Sequence, residues 1–311
     1  MTPPPRIVFF GTPEFAVPSL RALLASEDQV VGVVCQPDKP AGRGQHVTPP
    51  PVKELALEAG VPFLQPAKLR TPNFAEVLRP LAPDLIVVAA YGKILPKSIL
   101  DLPQYGCVNV HASLLPKYRG AAPIQWAILR GEERSGVTIM QMNERMDAGD
   151  ILLQQDTPIA THETYGELQA RLAERGAAAL MEAIGRLHTG TLTRTPQREA
   201  EMTLAPLIKK DDGRIDWTHS ASSIARMARA FNPWPSAFTQ LDGKLLKIHR
   251  AHDIATPTNA APGTVMATTE AITVATGDGV LGIDELQLEG RKRLTAAEFG
   301  RGSIKAGTVL G

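Results

Sequence analysis

Short apolar runs that alternate with helical segments are the feature that most restricts how this chain can fold. The runs RIVFFGT (6–12), QVVGVVCQ (29–36) and PDLIVVAAY (83–91) are rich in strand-forming residues. Continuously apolar strands are typical of a parallel sheet that helices cover on both faces. Helical patterns lie between these runs, for example PVKELALEAG (51–60). Residues 1–188 are therefore predicted to form an α/β domain with a doubly wound, mostly parallel, Rossmann-like sheet.

Three further strands and one long helix are predicted later in this region. CVNVH (107–111) and GVTIMQMN (136–143) are apolar runs, and DILLQQDTPI (150–159) is predicted as an added strand. Thr164 and Glu167 have the spacing of a capping box. A long helix is therefore expected to begin directly after them.

The chain changes character after residue 188. Residues 189–206 are polar, Thr-rich and weakly periodic, which predicts a linker. Residues 207–311 break into short apolar runs with turn signals, including Asp242-Gly243 and Asp278-Gly279. They predict a smaller all-β barrel domain, in which Trp217, Trp234 and Pro235 are expected to be packing residues.

Composition excludes little and favours an ordinary globular protein. The formal net charge is +1, so overall charge does not indicate a nucleic acid or membrane partner. No apolar run approaches the roughly 18 residues of a membrane span. The N-terminal segment lacks the cleavage pattern of a signal peptide. A cytoplasmic protein is expected, with Cys35 and Cys107 as reduced core thiols.

Asn109 and His111 are the first candidates for chemistry. Both lie near the end of the predicted strand 107–111. Side chains two positions apart on a strand point to the same face. Ligands of parallel α/β sheets bind beyond the carboxyl ends of the strands. The amide and the imidazole are therefore expected to face the binding crevice together.

An acidic loop follows the next predicted strand, 136–143. Its residues Asp147 and Asp150 are expected to reach the same edge of the sheet as His111. A carboxylate beside a histidine can orient the ring and hold its proton. Asn and protonated His can both donate hydrogen bonds to an oxyanion. This set suits acyl transfer to an amine, although the same two residues could instead serve a turn and a backbone carbonyl.

Other kinds of site have weaker support. A dinucleotide site would need glycines that the first turn, GTPEF (11–15), does not contain. Among the seven His only His249 and His252 lie close together, and they are expected on opposite faces of a strand. No metal-binding motif is present, so no metal is expected.

The long loop 36–52 follows the second predicted strand. Gly42 and Gly44 flank Arg43, which could reach a phosphate group. A long Gly- and Pro-rich loop at this edge of a sheet is often functional. A solvated surface loop is the alternative.

Six segments in order resemble the methionyl-tRNA formyltransferase family, from about residue 6 to the C-terminus. They are GTPEFAVPSL, QPDKPAGRG, NVHASLLPKYRGAAPIQWAI, GVTIMQMNERMDAGD, RAFNPWP and NAAPGTV. The resemblance departs from the family pattern at Ala112, where relatives often have Gly, and at the N-terminal TPPP. Neither departure touches a candidate residue.

The resemblance implies transfer of a formyl group from 10-formyltetrahydrofolate to the methionine α-amino group of initiator methionyl-tRNA. It implies that Asn109, His111 and Asp147 are the catalytic residues. It implies that the folate lies against Ser113, Leu114, Leu115, Pro116, Tyr91 and Ile94. It also implies an OB-like C-terminal barrel and a monomer that binds tRNA, with candidate contacts at Arg43, Lys209, Lys210, Arg214, Lys244, Lys247 and Arg250.

Three other functions remain as alternatives. Folate-dependent formyltransferases that act on small amines share the Asn, His and Asp set, but the PAGRG loop and the barrel domain argue against them. An idle RNA-binding protein would not need all three polar residues at the sheet edge. A nicotinamide-dependent oxidoreductase is disfavoured by the GTPEF turn.

Overall fold

The computed structural model describes residues 4–41, 46–69, 74–268, 271–300 and 303–311. The chain divides into two compact units. Unit 1 consists of Met1–Pro123, Arg134–Pro158 and Gln169–Pro206, and unit 2 consists of Ile124–Glu133, Ile159–Leu168 and Leu207–Gly311. No described helix combines the length and the apolarity that crossing a bilayer requires.

Unit 1 is built on a seven-stranded sheet that is mainly parallel. The strands of this unit are β1 (Arg6–Gly11), β2 (Gln29–Val34), β3 (Lys39–Ala41), β4 (His46–Thr48), β5 (Phe63–Leu64), β6 (Leu85–Ala89), β7 (Cys107–His111), β8 (Arg119–Gly120), β9 (Arg134–Gln141), β10 (Ile151–Pro158) and β11 (Leu204–Ala205). The sheet order is β10-β9-β7-β6-β1-β2-β5. The strands from β7 to β5 are parallel, which confirms the predicted α/β fold.

The direction of β9 differs from the expectation. It runs antiparallel to β7, with His111 opposite Thr138 and Val108 opposite Gln141. The carboxyl end of β9 therefore lies beside the start of β7, away from His111. The prediction that the loop after β9 begins at the same sheet edge as His111 was wrong. An apolar strand at this position can pair in either direction, and the sequence pattern does not distinguish them.

The described helices include the one predicted at 51–60 and the long one expected after the capping box. They are α1 (Val17–Leu24), α2 (Pro51–Glu58), α3 (Phe74–Leu78), α4 (Lys97–Leu100), α5 (Pro123–Leu129), α6 (Tyr165–His188), α7 (Ala221–Ala230) and α8 (Ala296–Gly300). At the start of α6, the backbone N–H and the hydroxyl of Thr164 both donate to Glu167 Oε2 at 2.8 Å. The N–H of Glu167 donates back to the Thr164 hydroxyl at 3.4 Å. The predicted capping box is confirmed.

The core of unit 1 surrounds β1 and β6. Phe9 and Phe10 on β1 and Val87 on β6 are fully buried. The Phe10 and Tyr91 rings pack edge to face, with their centroids 5.1 Å apart. Both strands are buried on both faces, as their continuous apolar character predicts.

The segment 189–206 makes defined contacts within unit 1. Thr195 and Ile151 exchange two backbone hydrogen bonds of 2.8 and 2.9 Å. The Thr203 carbonyl accepts from the N–H of Arg119 at 2.9 Å. Strand β11 then pairs in parallel with β8. The segment is therefore attached both to the start of β10 and to β8.

Unit 2 contains a curled antiparallel half-barrel sheet, which confirms the all-β prediction. Its strands are β12 (Ala237–Leu241), β13 (Lys244–Ile254), β14 (Val265–Ala267), β15 (Ile272–Ala275), β16 (Val280–Leu288) and β17 (Leu294–Thr295). The order is β12-β13-β16-β15-β14, with β17 also paired to β16. Asp242 and Gly243 both have positive φ, so they form the predicted two-residue turn between β12 and β13.

The two tryptophans of unit 2 with predicted packing roles have different environments. Trp217 is buried in the barrel core, and its indole N–H donates to the Thr239 hydroxyl at 3.2 Å. Pro235 is also buried. Trp234 is 51% exposed, so its prediction as a packing residue was wrong. It lies in the turn between α7 and β12, whose path the apolar pattern does not determine.

Candidate active site

His111 at the end of β7 has its two ring nitrogens facing different groups. The side chain is 6% exposed. Its Nε2 lies 3.0 Å from the Tyr118 carbonyl oxygen, which can only accept, so Nε2–H is the donor. Its Nδ1 lies 3.8 Å from Asp147 Oδ2. Nδ1 is therefore the nitrogen available to exchange a proton with a reactant.

Asp147 reaches His111 by an unexpected route. The loop begins beside β7, where the N–H of Met142 donates to the Cys107 carbonyl at 2.7 Å. It then returns toward the end of β7 and places Asp147 in the left-handed backbone region, with φ 49°. The backbone N–H of Gly120 donates to Asp147 Oδ2 at 2.9 Å. The predicted proximity of His111 and Asp147 is present, and the loop rather than a common strand edge produces it.

Asn109 lies two positions before His111 on the same strand. Its side chain is half-buried. Within the described part of the chain, its amide has no hydrogen-bond partner. An unpaired amide on the same strand face as His111 can donate to a bound carbonyl oxygen. Asn109, His111 and Asp147 thus supply a donor, a titratable ring and a carboxylate.

Hydrogen bonds hold the segment Ser113–Pro116 from behind. The buried Thr138 hydroxyl donates to the Ser113 carbonyl at 2.6 Å and accepts from the Leu115 N–H at 3.1 Å. The Gln154 amide donates to the Leu115 carbonyl at 2.8 Å. The side chains of Ser113 and Leu115 are buried, and the Ser113 hydroxyl donates to the Lys117 carbonyl. The segment is a fixed backbone platform in which Leu114 and Pro116 are the half-buried side chains.

Tyr91 and Ile94 follow β6 and lie in contrasting environments. The Tyr91 side chain is buried, and its hydroxyl has no hydrogen-bond partner among the described residues. Burial raises the pKa of this phenol to about 12. The Tyr91 carbonyl accepts from the Gln36 amide at 2.8 Å. Ile94 is 60% exposed, so it is the one of the two whose side chain can contact a ligand directly.

Sequence reasoning did not single out Tyr118 or Gly120, whose backbone groups hold His111 and Asp147. Gly120 has φ 124°, and a Cβ there would lie 2.6 Å from the Ala205 carbonyl oxygen. Gly is therefore required at this position. The available signal was the RG pair directly after SLLPKY, but only the fold shows what it contacts.

Strand register places two of the basic candidates of unit 2 in one row with an aromatic residue. Arg214 forms a bridge with Phe238, and Phe238 pairs with Lys247 on the next strand. Paired residues share a face of a sheet, so these three side chains lie in one row. Lys209, Lys210 and Lys244 are exposed. Arg250 instead pairs with Glu167 at 2.6 Å. The prediction for Arg43 lies outside the described residues.

No group of three His, Cys, Asp or Glu side chains within the described ranges has the arrangement of a metal site. The close His249 and His252 pair in the sequence does not form one either. His252 pairs with Asp284 at 3.1 Å, while His249 is buried against Gln287.

Family models match both parts of the chain. A formyl transferase model matches residues 5–184, and a model of the formyl transferase C-terminal domain matches residues 207–303. Among solved structures, the methionyl-tRNA formyltransferase from Clostridium thermocellum aligns with TM-score 0.57 at 16% identity, covering 91% of this chain and 98% of that one. HypX from Aquifex aeolicus in complex with tetrahydrofolic acid aligns with TM-score 0.64 at 20% identity, covering 97% of this chain. This chain spans about half of HypX, 48% of its length. These two structures support the fold.

Full-length relatives show the family more specifically. The methionyl-tRNA formyltransferase of Myxococcus xanthus is 55% identical over 299 residues, covering 96% of this chain and 95% of the relative. The methionyl-tRNA formyltransferase of Desulfotalea psychrophila is 52% identical over 307 residues, covering 98% of this chain and 95% of the relative. With similarity of this degree over both matched domains and the Asn109, His111 and Asp147 cluster in place, the chain belongs to the methionyl-tRNA formyltransferases of the formyl transferase family.

Proposed function

We propose that this chain transfers the formyl group of 10-formyltetrahydrofolate to the α-amino group of methionine on initiator methionyl-tRNA. Formyl transfer as the reaction class follows from the family. The observation that carries the proposal is the cluster of Asn109, His111 and Asp147 at the end of β7. The domain division is proposed as 1–188 catalytic, 189–206 connecting and 207–311 tRNA-binding.

The catalytic residues divide the work between a donor pair and a carboxylate. Asn109 donates from its amide to the formyl oxygen as that oxygen gains negative charge. His111, protonated, donates from Nδ1–H to the same oxygen, because its Nε2–H is engaged by Tyr118. Removing one such donor costs on the order of 100-fold to 1000-fold in rate.

Asp147 stabilises the positive charge of His111 and accepts the proton of the attacking amine. Its carboxylate stabilises the protonated His111 ring from 3.8 Å. The Gly120 N–H holds Oδ2, which leaves Oδ1 free to accept a proton from the attacking amine, directly or through water. The new bond joins the methionyl nitrogen to the formyl carbon, the bond from that carbon to the folate nitrogen breaks, and the amine proton passes to the folate nitrogen. The catalytic step is proposed to need no metal.

The folate is proposed to lie against the backbone platform Ser113–Pro116 and beside Ile94 and Tyr91. A hydrogen-bonded backbone with half-buried Leu114 and Pro116 suits a flat heteroaromatic ring. HypX, which shares the fold, holds tetrahydrofolic acid in its crystal structure. Tyr91 contributes its backbone to this site, because its side chain belongs to the core.

The tRNA is proposed to bind unit 2 along the row of Arg214, Phe238 and Lys247. Two cations beside an aromatic ring match the phosphates and bases of RNA. The exposed residues Lys209, Lys210 and Lys244 add positive charge, and Arg43 is proposed to contact the acceptor end. Arg250 contributes less, because Glu167 neutralises it. The logarithm of the affinity for tRNA should fall linearly with the logarithm of the salt concentration.

The test of the function is an assay with purified protein, 10-formyltetrahydrofolate and charged tRNA. Formylation of initiator methionyl-tRNA and not of elongator methionyl-tRNA is the expected result. Formylation of a free amino sugar nucleotide in preference to methionyl-tRNA would contradict the proposal. The same assay with a metal chelator present tests whether the step needs a metal. Analytical ultracentrifugation tests whether the protein is a monomer, as proposed. Fractionation of cells tests the proposed cytoplasmic location.

A further inference from the structure

The side chain of Gln197 connects the Asp147 loop to a buried arginine. Its Nε2 donates to the backbone carbonyls of Asp147 and Gly149, both at 2.8 Å. Its Oε1 accepts from Arg119 Nε at 3.0 Å and Nη2 at 2.7 Å. A guanidinium can only donate and a carbonyl can only accept, so this amide has one possible orientation. Both of its N–H groups are committed to the loop.

The arginine that orients Gln197 is itself firmly held. The Arg119 side chain is 4% exposed, and its charge pairs with Glu199 at 3.2 Å. Its backbone lies in β8, next to Gly120, whose N–H binds the Asp147 carboxylate. Gly120 and Gln197 therefore contact the Asp147 loop directly, and Arg119 connects the two.

The backbone around Gln197 is attached on both sides. Two residues before it, Thr195 exchanges two hydrogen bonds with Ile151, which follows the Asp147 loop. Seven residues after it, β11 pairs with β8. Gln197 is thus placed by main-chain pairing rather than by its own side chain alone.

Asp147 needs such support because its backbone conformation is unfavourable. A non-glycine residue with φ 49° is in a strained backbone conformation, which persists only where its surroundings impose it. The Gly120 N–H holds the carboxylate, but nothing in that contact holds the peptide. The two hydrogen bonds from Gln197 hold the backbone carbonyls of Asp147 and Gly149, which lie on either side of Ala148.

We propose that Gln197 is a positioning residue that keeps Asp147 in register with His111. The proposal rests on the proposed function, in which Asp147 stabilises the protonated His111. Gln197 lies in the connecting segment, between the residues matched by the two family models, 5–184 and 207–303. The connecting segment therefore contributes to the catalytic centre as well as joining two domains.

The test compares Gln197→Ala and Gln197→Glu with the wild-type enzyme in formyl transfer to methionyl-tRNA. Gln197→Glu keeps the size of the side chain and its bond to Arg119, but it cannot donate to the loop. We expect kcat to fall at least 10-fold in both variants, since a displacement of about 1 Å at a reacting group can cost about 100-fold. KM for both substrates should stay within about threefold. The matched control is Arg198→Ala, whose side chain is 82% exposed and points away from this network to Glu201.

A double-mutant cycle separates positioning from general structural damage. In an Asp147→Asn background, Gln197→Ala should change kcat by less than twofold, because its effect acts through Asp147. An equal loss of kcat in both backgrounds, or a kcat within twofold of wild type for Gln197→Glu, would overturn the proposal.

A crystal structure of Gln197→Glu gives a readout that does not depend on activity. Movement of Asp147 Oδ2 away from the Gly120 N–H supports the proposal, and an unmoved Asp147 overturns it. Wild-type enzyme that does not formylate methionyl-tRNA would contradict the proposed function alone, because the crystallographic result would still decide the role of Gln197.

Discussion

Asp147 Oδ2 lies 3.8 Å from Nδ1 of His111, while Nε2 of the same ring is bonded to the Tyr118 carbonyl. The gap is too long for a direct hydrogen bond. The carboxylate therefore lies near the ring without a hydrogen bond to it, and Nδ1 remains available to a reactant. The two ring nitrogens of His111 thus face different groups, Nε2 the Tyr118 carbonyl and Nδ1 the Asp147 carboxylate.

Replacing Asp147 by Asn should abolish most of the activity without unfolding the protein. Asn keeps the shape and can still accept from the Gly120 N–H, but it lacks the charge that stabilises protonated His111. We expect kcat for formyl transfer to fall on the order of 100-fold to 1000-fold. The control is Glu144→Gln, an exposed acidic residue in the same loop. A turnover near that of wild type in Asp147→Asn would contradict the assigned role.

Replacing Thr138 by Val should weaken the platform Ser113–Pro116. Val matches the shape of Thr but leaves the Leu115 N–H and the Ser113 carbonyl without their partner. A buried group left unpaired costs about 1–3 kcal/mol. Urea unfolding should show that loss, and KM for the folate should rise several-fold. Thr239→Val in unit 2 also removes a buried hydroxyl with a partner, Trp217, and should lower stability without changing this KM. Equal KM values for the folate in the two variants would argue against a role of the platform in folate binding.

Replacing Gly120 by Ala should disturb both stability and activity. A Cβ at Gly120 meets the Ala205 carbonyl oxygen at 2.6 Å, so β11 must move. Gly190→Ala is the matched control, because Gly190 also has positive φ (68°), but a Cβ there would have no atom of the described residues within 4 Å. The control should cost about 1 kcal/mol from backbone strain alone. Gly120→Ala should cost more than that in urea unfolding and should lower kcat. Equal costs would show that the contact with Ala205 is unimportant.

The capping box of α6 should make stability depend on acid pH. The Thr164 N–H and hydroxyl, with Arg250, lower the pKa of Glu167 from 4.5 to about 2. Because the folded pKa lies below the ordinary value, the contribution is complete above pH 4.5 and is lost as pH falls toward 2. Glu167→Ala should cost about 1 kcal/mol at pH 7, a typical value for a helix cap, and less at pH 3. Glu201→Ala, which breaks only an exposed ion pair, should show no such pH dependence. A constant difference between wild type and Glu167→Ala from pH 7 to pH 3 would contradict the prediction.

The two cysteines should be chemically inert in the folded protein. Both are buried and free, and burial raises the pKa of Cys35 to about 11 and that of Cys107 to about 12. Thiolates, not thiols, react with alkylating reagents. Iodoacetamide at pH 7.5 should therefore leave both unlabelled until urea is added, as mass spectrometry can show. Rapid labelling of the folded protein would mean that the strand ends open readily.

The sequence by itself determined the main strands of the large sheet, the capping box and the Asp242-Gly243 turn. Each of these follows from local preference or from the period of the apolar pattern, which neighbouring residues set. Alternation along β7 was enough to place Asn109 and His111 on one face. The family followed from long motifs, and the relatives bear it out.

Only the tertiary structure decided how Asp147 reaches His111. The apolar pattern of β9 does not specify its direction, and the antiparallel pairing with β7 sends the following loop back across the unit. The groups that hold Asp147 there are the Gly120 N–H and the amide of Gln197, 50 residues away along the chain. Contacts between such distant residues depend on packing and backbone pairing, which local sequence does not encode. The polar pattern that predicts a linker for 189–206 therefore could not show that this segment bonds the Asp147 loop in the folded chain.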